Sequence, residues 1–152
     1  YDVIKEKINL AKPEAKVTTP ITSTIKALNV LGINKISIFT PYTKTINDSV
    51  VNYFEKENII INSLTYFDID SDLDIGKVDE GYLFEVLSKI DLEDSDALFV
   101  SCTALPVLSI INKLEKKLNK VVLSSNQTLI WDSLNAIDYK EKIDGFGKLF
   151  NS

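Results

Sequence analysis

Four short runs rich in β-branched and aromatic residues recur along this chain, with a segment of helical period between each and the next. The runs are Lys35–Thr40, Ile59–Phe67, Ala97–Val100 and Lys120–Leu123. Between the first two, Ile46, Val50, Val51 and Phe54 share one helical face over Lys44–Lys56. Leu83, Val86, Leu87 and Ile90 mark the next helix, and Val107, Leu108, Ile111, Leu114 and Leu118 the one after. Strands alternating with helices at this spacing predict right-handed βαβ units, hence a parallel sheet with helices on both faces. The expected fold class is α/β, a four-stranded flavodoxin-like half ordered 2-1-3-4. A further helix precedes the first strand: Thr18 or Thr19 caps it, Pro20 suits its first turn, Ile21, Ile25, Leu28 and Leu31 form its face, and Gly32 stops it. A last helix carries Ile130, Leu134 and Ile137, and an opening one carries Ile4, Ile8 and Ala11.

The stretch Asp96-Ala-Leu-Phe-Val-Ser-Cys-Thr-Ala-Leu-Pro106 concentrates the chemistry. Its buried strand delivers Ser101, Cys102 and Thr103 to a turn, after which a helix is expected from about Ala104 to Leu118. Cys102 is the only cysteine. A helix amino terminus beside it would favour the thiolate and make it a plausible base or nucleophile. The bland alternative is a small buried hydrophobe.

Two other strand ends converge on the same edge, Thr40-Pro41-Tyr42 and Ser124-Ser125-Asn126. Each opens a helix and each offers hydroxyl or amide groups. Taken singly these are ordinary caps. Together, three helix amino termini facing one crevice suit an anion, best a carboxylate. A thiolate beside it could remove a proton α to the carboxylate or attack an adjacent sp² carbon.

Composition narrows the rest. Histidine, methionine and arginine are absent, so all 17 cationic side chains are lysine. Without histidine there is no Ser-His or Cys-His pair and no ordinary zinc site. A net charge of -5 with no basic face argues against nucleic acid. No run approaches the roughly 18 apolar residues of a membrane span. A single cysteine excludes an internal disulfide and fits a reducing cytoplasm. No G-x-G-x-x-G or P-loop points to a nucleotide, and no cofactor is implied. The acidic run Asp68–Asp79 is expected to be a solvated loop: a calcium loop would need glycine and glutamate where Leu73 and Asp79 stand.

In chain order, Val17-Thr-Thr-Pro20, Ala27-Leu28 with Leu31-Gly32, Ile38-Phe-Thr-Pro-Tyr42, Phe99-Val-Ser-Cys-Thr103, Leu114-Glu115, Val122-Leu-Ser-Ser-Asn-Gln127 and Trp131 form a series. It resembles the maleate cis-trans isomerases and arylmalonate decarboxylases of the aspartate/glutamate racemase superfamily, from Val17 to Phe150. The resemblance implies two pseudo-symmetric α/β halves with the active site between them. Cys102 then matches the cysteine of the carboxyl-terminal half. Tyr42 matches the tyrosine that holds a substrate carboxylate, and Thr103 supplies an amide beside it. Thr40 and Ser101 join them as candidate carboxylate-binding groups. The partner cysteine would lie in a Cys-Thr-Ser-Gly-like turn before Tyr1, so isomerase and decarboxylase both stay open.

The expected organisation is a remnant of the first half over residues 1–16, a second α/β domain over 17–137, and a tail, 138–152, packing back on the first half. The expected activity is that of a cofactor-independent isomerase, racemase or decarboxylase of a small carboxylate or dicarboxylate, inactive as this piece alone. The alternative is a non-catalytic carboxylate-binding or structural domain of the same fold. No nucleic-acid or membrane partner is expected, and a homo-oligomer stays open.

Overall fold

In the computed structural model, which describes residues 2–139 and 141–151, all four apolar runs are strands: β1 (Lys35–Thr40), β2 (Ile60–Tyr66), β3 (Ala97–Val100) and β4 (Val121–Ser124). Every neighbouring pair is parallel and the order is β2-β1-β3-β4, as the alternating pattern predicts. Central β3 is buried along its whole length, while edge β2 alternates with solvent. The register pairs Phe39 with Val100 and Val100 with Ser124. The carboxyl ends of β1, β3 and β4 therefore finish level.

Successive side chains of a strand point to opposite faces, so the sheet carries two cores. Phe39, Leu98, Val100 and Val122 face one way, where they meet Ile75 of α4 (Asp72–Ile75), Leu83 and Leu87 of α5 (Glu80–Leu87), and Ile111 and Leu114 of α6 (Ile111–Leu118). Ile36, Ile38, Ala97, Phe99 and Leu123 face the other way. There they meet Ala27 and Leu28 of α2 (Pro20–Val30), Phe54 of α3 (Lys44–Lys56) and Trp131 of α7 (Ser125–Ala136). The opening helix α1 (Asp2–Ala11) buries none of its residues. No helix among the described residues is long and apolar enough to cross a membrane.

Three expectations are corrected. The helix after Cys102 does not begin at Ala104. Irregular backbone leads to a 3-10 turn, Leu108–Ile110, and α6 starts only at Ile111. Pro106 explains the delay: its ring disfavours helical backbone at Leu105, and it has no N–H to give. The acidic run is not loop throughout, since α4 turns within it and buries Ile75.

Helix α7 buries a polar face. Ile130 and Ile137 are 41% and 72% exposed, whereas Ser125, Gln127, Thr128 and Asp132 are buried. The partners of Thr128 and Asp132 lie on or just before α2. Thr24 and Thr128 share a hydroxyl bond of 2.9 Å. Asp132 accepts from Thr18, from Ser23 at 3.0 Å and from the Lys26 ammonium at 2.8 and 2.9 Å. Burial would raise the carboxyl pKa, but these donors outweigh it and hold Asp132 below the usual carboxylate range. A carboxyl lowered on folding stabilises the fold above its unfolded value, about 3.9, and that contribution fades as pH falls through the lower folded value. Asp132→Ala is thus expected to cost about 2 kcal/mol at pH 7. In urea denaturation the difference from wild type should shrink by pH 3. An equal difference at both pH values would show that the carboxylate charge is irrelevant.

The tail docks on this domain's own core. Leu149 is fully buried among the second-face residues. The Gln127 amide donates to Phe146 C=O at 2.6 Å. Buried Glu115 accepts the Lys148 N–H at 2.9 Å and the Val122 N–H at 3.1 Å. That carboxylate and the closing 3-10 turn, Lys148–Asn151, cover the β4 edge, which would otherwise offer unpaired backbone groups.

Candidate active site

The level strand ends bring three loops together. The Ser101 N–H continues the ladder to Phe39 C=O at 2.8 Å. Cys102 follows, and its N–H donates to Ser125 Oγ at 3.1 Å. The Asn126 amide donates to Thr103 C=O at 2.9 Å. The β4 end thus anchors the cysteine turn at two successive residues, using side chains whose simplest reading is helix capping. The actual N-cap of α7 is Ser124, in a reciprocal capping box with Gln127.

The Cys102 sulfur accepts the Ala104 N–H at 3.3 Å. Cys102 is only 4% exposed. It closes the first-face core beside Leu105 and Val107. Since α6 starts beyond Pro106, the sulfur meets the Ala104 N–H of an irregular turn and not the amino terminus of α6.

Tyr42 supplies the polar neighbour. Its half-buried side chain places the hydroxyl against the Cys102 thiol and the Ser101 side chain, with the Asp72 carboxylate also in electrostatic range. Burial first, and Cys102 next, push the phenol well above its ordinary value, while Ser101 pulls the other way. Tyr42 is therefore a protonated hydrogen-bond donor across the neutral range. Such a donor can serve a thiolate or a bound carboxylate.

The other candidates separate. Ser101 is half-buried beside Tyr42, and Thr103 is exposed. Thr40 is fully buried: its hydroxyl donates to Asn47 Oδ1 at 2.5 Å and accepts the Tyr42 N–H at 3.2 Å. With no exposed surface, Thr40 supports the Tyr42 turn and is not itself a carboxylate ligand. Asn47 escapes a reading by periodicity, which marks apolar faces and skips a buried amide. A wide open groove lies elsewhere, between α1 and α7, lined by Lys5, Lys12, Lys26 and Asp132. Its buried charge, Asp132, is already satisfied, and no cysteine lines it.

The family model described as arylmalonate decarboxylase matches residues 4–150. A maleate isomerase of Geobacillus stearothermophilus is 26% identical over 138 residues, 90% of this chain and 55% of the relative. The arylmalonate decarboxylase of Bordetella bronchiseptica is 25% identical, over 88% of this chain and 57% of its own. A solved Nocardia farcinica maleate cis-trans isomerase holding a covalently bound succinylcysteine intermediate has the same fold, with a TM-score of 0.91, 21% identity, and coverage of 98% of this chain and 61% of its own. The chain spans just over half the length of the curated relatives it matches. A cysteine and a protonated tyrosine at level strand ends, within a match that runs over nearly all the described residues, lead to one conclusion: this chain belongs to the arylmalonate decarboxylase family.

Proposed function

We propose that this chain is the cysteine-bearing half of a cofactor-independent enzyme acting on a small carboxylic or dicarboxylic acid in the cytoplasm. Cys102 is its acid/base or nucleophile. Tyr42, Ser101 and the Thr103 region bind a substrate carboxylate. The observation that carries this reading is the protonated Tyr42 hydroxyl set against the Cys102 sulfur.

The similarity to maleate isomerases favours a cis-unsaturated dicarboxylate. The Cys102 thiolate adds to one alkene carbon, the C=C π pair moves toward the neighbouring carboxylate, and a single bond remains about which the chain rotates. Return of that pair expels the thiolate and leaves the trans alkene. Tyr42 stabilises the negative charge while it resides on the substrate. The similarity to an arylmalonate decarboxylase supports a second reading, in which loss of carbon dioxide leaves a carbanion that the Cys102 thiol protonates. The 152-residue chain alone is proposed to be inactive, since it spans just over half the length of its curated relatives.

Proton NMR of the complete protein with maleate and with phenylmalonate tests this directly. Formation of fumarate or of phenylacetate names the reaction. Tyr42→Phe is expected to lower kcat/KM by about 10- to 100-fold, the effect of one hydrogen bond to a charged group. Turnover of neither acid would favour a non-catalytic binding domain, and an unimpaired Tyr42→Phe variant would remove Tyr42 from the catalytic reading.

A further inference from the structure

We propose that Asn47 is a positioning residue that aims Tyr42 at Cys102; the inference rests on the reading of those two as a functional pair. Asn47 lies in the first turns of α3 and is fully buried. Asparagine is a poor helix former, and a buried amide is costly unless both its ends are bonded. Here both are. Oδ1 accepts the Thr40 hydroxyl at 2.5 Å and Nδ2 donates to Tyr42 C=O at 3.0 Å. The Tyr42 N–H in turn donates to the Thr40 hydroxyl at 3.2 Å. Asn47 and Thr40 together hold both main-chain groups of Tyr42.

Two further observations separate this from ordinary capping. The N-cap of α3 is Thr43, and its side chain makes no capping bond. The helix also turns Asn47 inward while Ile46, expected inward from the apolar period, stays 47% exposed. A helix built for packing alone would bury the isoleucine. This one forgoes it to bring an amide under the loop that carries Tyr42. Only an amide supplies an acceptor for Thr40 and a donor for the tyrosine carbonyl at once; aspartate supplies acceptors alone.

The 152-residue chain has one cysteine, so iodoacetamide alkylation reports on Cys102 alone. Second-order rates at fixed pH are measured for wild type, Tyr42→Phe, Asn47→Leu, Asn47→Asp and the Asn47→Leu/Tyr42→Phe double variant, with thermal melts to confirm folding. Tyr42→Phe should change the rate about tenfold. Asn47→Leu should change it in the same direction by about fivefold or more, and the double variant should match Tyr42→Phe alone, the non-additivity of residues acting through one another. Should Asn47→Leu fail to fold, Asn47→Asp removes the bond to the Tyr42 carbonyl and Thr40→Val the hydroxyl's bonds to Asn47 and to the Tyr42 N–H, and Thr40→Ser, which keeps the hydroxyl, should return the rate to within about twofold of wild type. Multiplying effects in the double variant, or wild-type rates in every Asn47 and Thr40 variant while Tyr42→Phe responds, would overturn this inference alone. An unresponsive Tyr42→Phe would overturn it together with the Tyr42–Cys102 pairing.

Discussion

Cys102→Ala in the complete protein is expected to lower turnover by about 10⁴-fold or more, the scale seen when a nucleophile that acts as a unit with its neighbours is removed. The fold should survive. The substitution deletes one sulfur from a site bounded by Leu105 and Val107 and loses one bond, from the Ala104 N–H. A void of that size costs about 1 kcal/mol. Cys102→Ser keeps a hydroxyl in place but should leave little activity, because a hydroxyl is far less acidic than a thiol. Progress curves with the true substrate, beside thermal melts of each variant, check both halves of the expectation. A folded Cys102→Ala variant with wild-type turnover would end the catalytic reading and leave the carboxylate-binding domain in its place.

Gly147→Ala is expected to destabilise the chain by about 3 kcal/mol, the joint effect of a left-handed backbone and overpacking. Gly147 has φ +88°, and an added Cβ would stand 2.7 Å from Ile111 Cγ2, 2.9 Å from Gln127 Nε2 and 3.3 Å from Glu115 Cδ. Ile111 is fully buried and cannot retreat, while Gln127 and Glu115 are the two side chains that hold the tail. Relief comes most simply by undocking residues 146–151, which uncovers Leu149 and the β4 edge. Gly145 is the control. Its φ is +94°, but nothing lies within 4 Å of an added Cβ, so Gly145→Ala should cost only about 1 kcal/mol from backbone strain. Urea denaturation of both variants, with tryptic cleavage after Lys148 as a local probe, measures the difference. Equal destabilisation by the two would mean that the tail is not tightly seated.

Much of the site is legible from residue order. Tyr42, Ser101 and Cys102 each end or follow an apolar strand run, and a parallel sheet sends such ends to one edge. Their supports are not legible. Ser125 and Asn126 read as caps, and Asn47 reads as nothing. Hydrogen bonds from a side chain to a distant turn leave no period in the sequence.

The tail and α7 show the same limit. Gly147 is a bare glycine until Ile111, Gln127 and Glu115 surround it. The polar buried face of α7 looks like a solvated one until Thr24, 104 residues away, meets Thr128. What the sequence alone determined was the α/β class, the parallel strand order and the strand ends that carry Tyr42 and Cys102. Each follows from local hydrophobic period and from the handedness of short crossovers, which one segment and its neighbour set between them. Only the tertiary structure decided how buried the thiol is, what holds it and Tyr42 in place, and where the tail docks. Those depend on polar groups finding partners across the chain, and a buried donor and its acceptor are recognisable only once both are in place.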